Sequence, residues 1–308
     1  MAGATDAIGS DSSNDSGTIR PLPLRLMDHL AARPPGHALP VPGCWDGLTA
    51  LLIEQAGFPA AFLTGGGLSM ARLGRPDMGL VTASELIDTV SQITDRISIP
   101  LIVDGDTGFG NALTLARTLR HLERAGAAAV QIEDQGFPKR CGHMAGKTVV
   151  PLAEALGRIK AAADTRHAMR IIGRTDALAL EGLEAAMDRA EAYLEAGADI
   201  IFIEGPRTMA EAEAIAARFA DRVPLVHNLV EGGVTPSTSG AAFGALGYAV
   251  TLHPLLLMHG LVAMAPRWLE ALQRSGSTAD IAGELADLGV MNRLTGAAAL
   301  LAEGERYG

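Results

Sequence analysis

The 308-residue sequence predicts an α/β fold, and two features of its pattern favour a closed barrel. Eight short apolar runs alternate with longer amphipathic stretches, which indicates parallel strands joined by helices and covered on both faces. Four of the helical stretches end in a glycine shortly before a strand, at Gly57, Gly126, Gly197 and Gly247. Eight strand–helix units of this kind predict a (β/α)8 TIM barrel.

The predicted elements follow one another along the chain. The strands are 37–42, 60–64, 101–104, 128–133, 170–175, 200–204, 225–228 and 249–252, and the helices include 48–56, 83–97, 111–125, 152–167, 183–196 and 209–219. A glycine fits after a helix because the residue there often has a left-handed backbone. An open doubly wound sheet is the alternative fold. That fold needs a glycine-rich phosphate loop after its first strand, and residues 43–47 do not form one.

The two ends of the chain lie outside the eight units. Residues 1–20 lack any apolar period and are predicted to be a flexible tail, and we assign residues 21–308 to a single barrel domain. From about residue 254 the sequence holds more helix than the eighth unit requires. Residues 292–307 are predicted to form a terminal helix that packs on a neighbouring subunit.

Composition excludes several classes of protein. The 25 basic and 35 acidic residues give a net charge of −10, which disfavours a general nucleic-acid binder. The two cysteines exclude a disulfide scaffold, and the 48% hydrophobic content excludes a mostly disordered chain. Neither a secretory signal nor an apolar run long enough for a bilayer is visible. We therefore expect a cytoplasmic protein with neither a membrane nor a nucleic-acid partner.

Three carboxylates follow neighbouring predicted strands. Asp104 and Asp106 are two residues apart and should project to one side of an extended chain, and Glu133 ends the next strand. Because three converging carboxylates repel one another without a cation, the set predicts Mg2+, with Mn2+ as the alternative metal. Capping of the following helices is the competing interpretation for each aspartate.

The stretch 135–150 is too long for an ordinary connection and is predicted to be a mobile loop over the site. Lys139, Arg140 and His143 flank Cys141, so this thiol is predicted to have a lowered pKa and to transfer protons. Cys44 is predicted to be an ordinary core residue.

The end of the fifth predicted strand carries a cationic side chain. Arg174 lies there and fits a substrate carboxylate, although an ion pair with Asp176 or Glu204 is the alternative. Metal, thiol and arginine together indicate enolate chemistry on a small carboxylic acid. A Schiff-base aldolase is disfavoured because no lysine ends a predicted strand.

These motifs resemble the isocitrate lyase and phosphoenolpyruvate mutase superfamily, and specifically its carbon–carbon lyase branch. The run Lys139–His143 marks that branch. The other matching segments are 64–66, 73–77, 104–110, 132–135, 174–177 and Asn228, and they span about residues 37–255 in family order.

The resemblance implies a barrel whose last helix swaps between subunits, usually in a homotetramer. It implies that Asp106 contacts Mg2+ directly, whereas Asp104 and Glu133 act through water. Cys141 would protonate the carbanion that cleavage releases. Other implied site residues, catalytic or substrate-binding, are Thr64, Gly65, Gly66, Lys139, Arg140, Gly142, His143, Arg174, Glu204 and Asn228.

The implied reaction is cleavage of 2-methylisocitrate or a substituted malate to a 2-oxo acid and a second carboxylate. Two departures from the pattern leave the substrate open: Phe62 stands where related lyases often have tyrosine, and Thr64 replaces serine. Alternatives are an oxaloacetate hydrolase or decarboxylase, a phosphonomutase, which is disfavoured by the Lys139–His143 run, and a dicarboxylate sensor without turnover.

Overall fold

Eight strands form the centre of the molecule in a computed structural model that describes residues 21–142, 146–233, 235 and 239–308. They are β1 (Leu39–Cys44), β2 (Ala61–Leu63), β3 (Leu101–Asp104), β4 (Ala129–Glu133), β5 (Arg170–Thr175), β6 (Ile200–Ile203), β7 (Leu225–Asn228) and β8 (Val250–His253). The strands are parallel and follow chain order around a closed barrel, in which β1 pairs with β8. The predicted (β/α)8 barrel is confirmed, with strand ends shifted by one or two residues.

Helices surround the barrel and continue beyond it. They are α1 (Leu22–Ala32), α2 (Gly47–Gln55), α3 (Gly65–Leu73), α4 (Ala83–Thr94), α5 (Ala112–Arg124), α6 (Leu152–Thr165), α7 (Leu178–Glu181), α8 (Leu183–Glu195), α9 (Met209–Phe219), α10 (Gly240–Leu246), α11 (Leu256–Ser275), α12 (Leu288–Thr295) and α13 (Ala297–Gly304). The six helices predicted by range correspond to α2, α4, α5, α6, α8 and α9. Sequence analysis missed α3, because a helix that opens with three glycines has poor intrinsic propensity. The Thr64 side chain caps α3 by accepting from the Gly67 N–H.

The amino end of the barrel is closed by α1, which sequence analysis also missed. Leu26 and Leu30 of α1 are 1% exposed and pack in one apolar cluster with interior strand residues. Several of those residues, such as Ala60, Ala129 and Ala249, lie where strands begin. The opposite, carboxyl end of the barrel therefore remains as the place for a site.

The glycine joints adopt the predicted conformation. Gly57, Gly126, Gly197 and Gly247 have φ values of 81°, 98°, 106° and 103°. At Gly197 a side chain would also collide, because an added Cβ would lie 2.7 Å from the Cβ of Ala163 on α6. This glycine therefore permits both the left-handed turn after α8 and the close approach of two helices.

The C-terminal prediction is wrong in its boundaries. Residues 292–307 do not form one helix, because Gly296 has a φ of 78° and separates α12 from α13. Before them, α11 runs for 20 residues and buries only Met258 and Ala271. Within the described residues, no helix is both long and apolar enough to cross a membrane.

Substitution of Gly197 by alanine should destabilise the fold by about 2 kcal/mol, since it combines a strained φ with a steric clash. Gly57→Ala is the matched control, because its φ is 81° but its added Cβ meets nothing within 4 Å. That variant should lose only about 1 kcal/mol. Chemical denaturation at one protein concentration measures both losses, and equal losses would contradict the assigned clash.

Candidate active site

A cavity of about 260 Å³ opens among the carboxyl ends of the strands. Ten of the predicted site residues line it: Thr64, Gly66, Asp104, Glu133, Lys139, Arg140, Cys141, Gly142, Arg174 and Asn228. Three more contact members of that set, since Gly65 bonds Asp104, Asp106 pairs with Lys139, and Glu204 pairs with Arg174. His143 lies outside the described residues. The structure thus brings together 13 of the 14 predicted site residues.

Asp104 and Asp106 converge, although not for the reason that their spacing indicates. The strand ends at Asp104, and Asp106 has a left-handed backbone with a φ of 48°. A turn, rather than extended chain, directs the two carboxylates to Gly65. A Cβ there would lie 3.0 Å from Asp104 Oδ2 and 3.2 Å from Asp106 Oδ1, so a side chain at this position would crowd both carboxylates. Neither aspartate caps a helix, because Asn111 caps α5.

Asp104 is fixed by donors from three directions. Its Oδ2 accepts from the Gly65 N–H at 3.3 Å, and its Oδ1 accepts from Gln131 Nε2 at 3.1 Å and from the Asp106 N–H at 3.3 Å. Gln131 was missed in the sequence, although it lies two residues before Glu133 and so shares its face of β4. The carboxylate is therefore held in place before any ligand binds.

Lys139 reaches into the carboxylate cluster from the loop that carries Cys141. Its Nζ lies 2.6 Å from Asp106 Oδ1 and 2.5 Å from Asp77 Oδ1. Burial alone would lower the pKa of Lys139, but Asp106, Asp104 and Asp77 hold this pKa well above its ordinary value. Burial raises the pKa of Asp106 to about 7, with Lys139 opposing and Asp104 adding to the rise. Asp77, which sequence analysis did not assign to the site, is thus part of it.

Arg174 ends β5 between three carboxylates. Its Nε donates to Asp176 Oδ2 at 2.9 Å and lies 3.3 Å from Glu133 Oε2, while Nη2 lies 3.5 Å from Glu204 Oε2. The guanidinium also lies over the Phe202 ring, 5.1 Å from its centroid. Both alternative ion pairs therefore form and are buried, but Arg174 itself still lines the cavity, so they do not remove it from the site.

The donor set fits a hydrated divalent cation. Glu133 Oε1 is buried and has no hydrogen-bond partner, and burial raises the Glu133 pKa well above its ordinary value. Asp104, Asp106 and Glu133 offer oxygen ligands only, which is the chemistry that Mg2+ prefers. Within the described ranges, no three acidic, histidine or cysteine side chains form a ready-made metal cage. Mg2+ usually keeps several waters, so a looser arrangement of carboxylates suits it.

Residues 135–142, the Cys141 segment, are held in place by hydrogen bonds to their backbone. The Cys141 N–H donates to the Asp77 carbonyl at 3.2 Å, and Gln135 exchanges two hydrogen bonds with the Arg140 backbone. Cys141 is partly exposed and lines the cavity, whereas Cys44 is fully buried. Burial raises the pKa of Cys44, which agrees with its predicted role in the core. The lowered pKa of Cys141 stays a prediction.

Gly142 brings this segment against the far side of the cavity. An added Cβ would lie 2.5 Å from Arg174 Nη2 and 2.8 Å from Glu204 Cδ, so the backbone approaches them closely. Asn228 at the end of β7 donates to Glu204 Oε2 at 3.4 Å, and its own Oδ1 is buried without a hydrogen-bond partner. These groups give the cavity a second polar region.

The remaining wall of the cavity is apolar, which sequence analysis did not reveal beyond Phe62. Its members come from separate elements, namely Phe62, Met70, Phe202, Val230, Leu252, Pro254 and Leu255. Both charged and hydrocarbon side chains thus line the cavity.

Comparison with known proteins identifies relatives over most of the chain. A profile of the phosphoenolpyruvate phosphomutase family matches residues 30–270. The 2,3-dimethylmalate lyase of Eubacterium barkeri is 42% identical over 260 residues, which cover 83% of this chain and 88% of that enzyme. The 2-methylisocitrate lyase of Aeropyrum pernix is 41% identical over 244 residues, which cover 79% of this chain and 78% of that enzyme.

Solved structures agree in fold. That of 2,3-dimethylmalate lyase, a PEP mutase/isocitrate lyase superfamily member, has a TM-score of 0.87 at 32% identity and covers 94% of this chain and 97% of its own. The structure of oxaloacetate acetylhydrolase with the inhibitor 3,3-difluorooxalacetate has a TM-score of 0.86 at 31% identity. It covers 93% of this chain and 98% of its own. Phosphonopyruvate hydrolase with oxalate and Mg2+ gives 0.82 at 29%, covering 94% and 99%.

The different environments of the two thiols predict selective alkylation. In the native protein a thiol reagent should modify Cys141 rapidly and should reach Cys44 only after denaturation, because access governs thiol reactivity. Peptide mass spectrometry over a time course measures both sites. Cys44→Ala should leave the fast phase unchanged and Cys141→Ser should abolish it. Comparable rates at both sites would contradict the placement of Cys141 at the cavity.

Proposed function

Since this chain belongs to the phosphoenolpyruvate phosphomutase family and its relatives include named lyases, we propose that it cleaves a 2-hydroxy dicarboxylate at a carbon–carbon bond. The products are a 2-oxo acid and a second carboxylate. Membership of the family confirms the resemblance inferred from the sequence, and the chain is an enzyme. One observation supports the proposal above the others: Cys141, Arg174 and the carboxylate cluster border the same cavity.

In the proposed complex, different residues bind the two ends of the substrate. Asp106, Asp104 and Glu133 would hold Mg2+, which would supply positive charge to stabilise the oxygen atoms of the future 2-oxo acid. The N-terminus of α3 lies beside the same carboxylates. Its Gly65 N–H already donates to Asp104, so Gly66 would supply the backbone donor to the substrate. Arg174 and Asn228 face the second polar region, where the other carboxylate binds.

The proposed chemistry moves one proton out and one proton in. The substrate hydroxyl loses its proton to the carboxylate cluster, and its oxygen becomes the carbonyl of the 2-oxo acid. The electrons of the broken bond remain on the carbon beside the second carboxylate, as an enolate. Arg174 stabilises this negative charge and Cys141 donates a proton to that carbon. Arg140, which directly precedes Cys141 in the chain, would favour its thiolate after the transfer.

The apolar wall favours one of the two substrate classes. A tricarboxylate such as 2-methylisocitrate must place a third carboxylate in the cavity. The described wall formed by Phe62, Leu252 and Leu255 offers hydrocarbon there, and burial of an unpaired carboxylate is costly. An alkyl substituent would instead gain from burial, by about 0.8 kcal/mol for each methylene. We therefore propose an alkyl-substituted malate as the preferred substrate.

Oxaloacetate hydrolysis is the second candidate. The structural likeness to oxaloacetate acetylhydrolase favours it, at a TM-score of 0.86. The same carboxylates would then bind the 2-oxo end of oxaloacetate. Release of acetate without lyase activity on hydroxy acids would support this alternative.

A panel of 2-hydroxy di- and tricarboxylates with Mg2+ tests the proposal through release of 2-oxo acid. We expect alkyl-substituted malates to exceed 2-methylisocitrate in kcat/KM by about tenfold, which corresponds to about 1.4 kcal/mol of differential binding. Mn2+ should substitute for Mg2+, and a chelator should abolish turnover. Faster cleavage of 2-methylisocitrate would overturn the assigned substrate class.

Cys141→Ser should lower kcat by at least about a hundredfold, since general acid catalysis contributes that much. Cys44→Ser is unsuitable as a control because Cys44 is in the core, so Cys44→Ala is the comparison. Equal kcat for Cys141→Ser and the unmodified enzyme would remove the thiol from the mechanism. If the unmodified enzyme cleaved none of these hydroxy acids with any of the metals, the lyase proposal itself would be wrong.

We also propose that the enzyme is a cytoplasmic homotetramer assembled through α11. Leu261, Val262, Leu269 and Leu272 of this helix are between 47% and 65% exposed, an apolar surface that an exchange of helices between subunits would cover. Leu269→Glu combined with Leu272→Glu should reduce the mass measured by light scattering. Gln273→Glu, at an exposed neighbour, is the matched control. A monomeric unmodified protein would contradict the assembly.

A further inference from the structure

Lys147 is a buried cation that the proposed reaction does not use. It is one of three lysines in the sequence, with Lys139 and Lys160, and its side chain is 5% exposed. Its Nζ donates to the Gly142 carbonyl at 2.6 Å and to Asp176 Oδ1 at 2.7 Å. Lys147 does not line the cavity. It therefore touches the Cys141 segment on one side and the Arg174 partner on the other.

The partner Asp176 is fully buried and is shared between two cations. Its Oδ2 accepts from Arg174 Nε at 2.9 Å, and its Oδ1 accepts from both Arg174 Nη2 and Lys147 Nζ. Burial alone would raise the pKa of Asp176, but Arg174 and Lys147 overcome it and hold this pKa at about 2. Asp176 is thus ionised and joins the two cations.

Without Lys147, Asp176 would depend on Arg174, which also pairs with two other buried carboxylates. Glu133, Asp176 and Glu204 all lie within ion-pair distance of its guanidinium. A second cation on Asp176 leaves more of the charge of Arg174 for the cavity side, where a substrate carboxylate would bind. Removal of one partner from a buried ion pair is costly, because the remaining charge is left uncompensated.

The same ammonium group holds the backbone next to Cys141 close to the end of β5. Gly142 follows Cys141 directly, and its backbone already lies against Arg174 and Glu204. A charge-assisted hydrogen bond to the Gly142 carbonyl holds this approach. On the barrel side of this contact, the Asp134 carboxylate holds Asp176 in place. It accepts from the Asp176 N–H at 2.9 Å and from the Thr175 hydroxyl at 2.6 Å.

We propose that Lys147 is a positioning residue that ties the Cys141–Gly142 backbone to the Arg174–Asp176 pair. It thereby sets the distance between the proton donor and the arginine that stabilises the enolate. This role rests on the proposed function only for its catalytic consequence. The physical tie between loop and barrel is independent of which reaction the enzyme performs.

Alkylation of Cys141 tests the tie without measurement of activity. In Lys147→Met, the limiting rate of Cys141 alkylation at high pH should rise about tenfold, the effect of losing a charge-assisted hydrogen bond. The limiting rate is compared because it removes any change in the thiol pKa. Cys44 in the same chain is the internal reference, and its rate should stay unchanged. Lys160→Met is the matched control, since Lys160 is 68% exposed and pairs with Asp164 at the surface.

Equal acceleration of Cys141 and Cys44 would overturn the proposal, because it would show general loss of stability. An unchanged Cys141 rate in Lys147→Met would overturn it as well. Amine acetylation of the unmodified protein gives a test that needs no variant. Lys160 should react at least about tenfold faster than Lys147, whose ammonium is held in two hydrogen bonds. Equal labelling of the two would show that the tie does not exist in solution.

A kinetic comparison completes the design if the lyase activity is found. Lys147→Met should then lower kcat with the alkyl-malate substrate by about tenfold, the same factor as the change in Cys141 access. Selective acceleration of Cys141 alkylation in Lys147→Met, without any lyase activity, would sustain the tie and reject the proposed function. The two ideas therefore fail separately.

Discussion

The charge balance at the carboxyl end of the barrel is the constraint on which the site depends. Five buried carboxylates, Asp104, Asp106, Glu133, Asp176 and Glu204, lie around three buried cations, Lys139, Lys147 and Arg174. Burial raises the cost of each charge, so every cation lies close to at least one of these acids. A divalent cation would complete this balance at the Asp104–Asp106–Glu133 end. The arrangement compensates the buried charges, and in the proposed function it would also favour the binding of a metal ion and a substrate anion.

Close backbone approach makes this charge density attainable. Gly65 lies against both aspartates, and Gly142 lies against Arg174 and Glu204, where any side chain would displace charged groups. The Lys139 and Lys147 side chains enter from the loop rather than from the strands. The loop is thus an integral wall of the cavity. Cys141, the proposed proton donor, lies on a loop held by the same ion pairs that hold the proposed substrate-binding groups.

Much of the fold and site could be predicted because the relevant signals are local. Apolar runs with helices between them specify a parallel barrel, and the glycines before the strands specify left-handed joints. Polar residues at strand ends specified the site for the same reason, since parallel strands bring their carboxyl ends together. The prediction for 292–307 was wrong because the apolar period continues on both sides of Gly296. Periodicity alone therefore does not show that the helix is interrupted there. The glycine-led α3 was missed because its stability depends on a cap and on packing.

The sequence by itself determined the barrel, its family and which residue types gather at its open end, since each follows from periodicity and motif within short stretches. Tertiary structure alone decided how those residues pair. It turned Asp106 towards Asp104 through a left-handed backbone, placed Lys139 on Asp77 and Asp106, and set Lys147 between Gly142 and Asp176. It also formed the apolar wall by bringing Phe62 to the same cavity as Leu252 and Leu255, which are far from it in the chain. Such contacts depend on distances between different elements, and no local pattern encodes these distances.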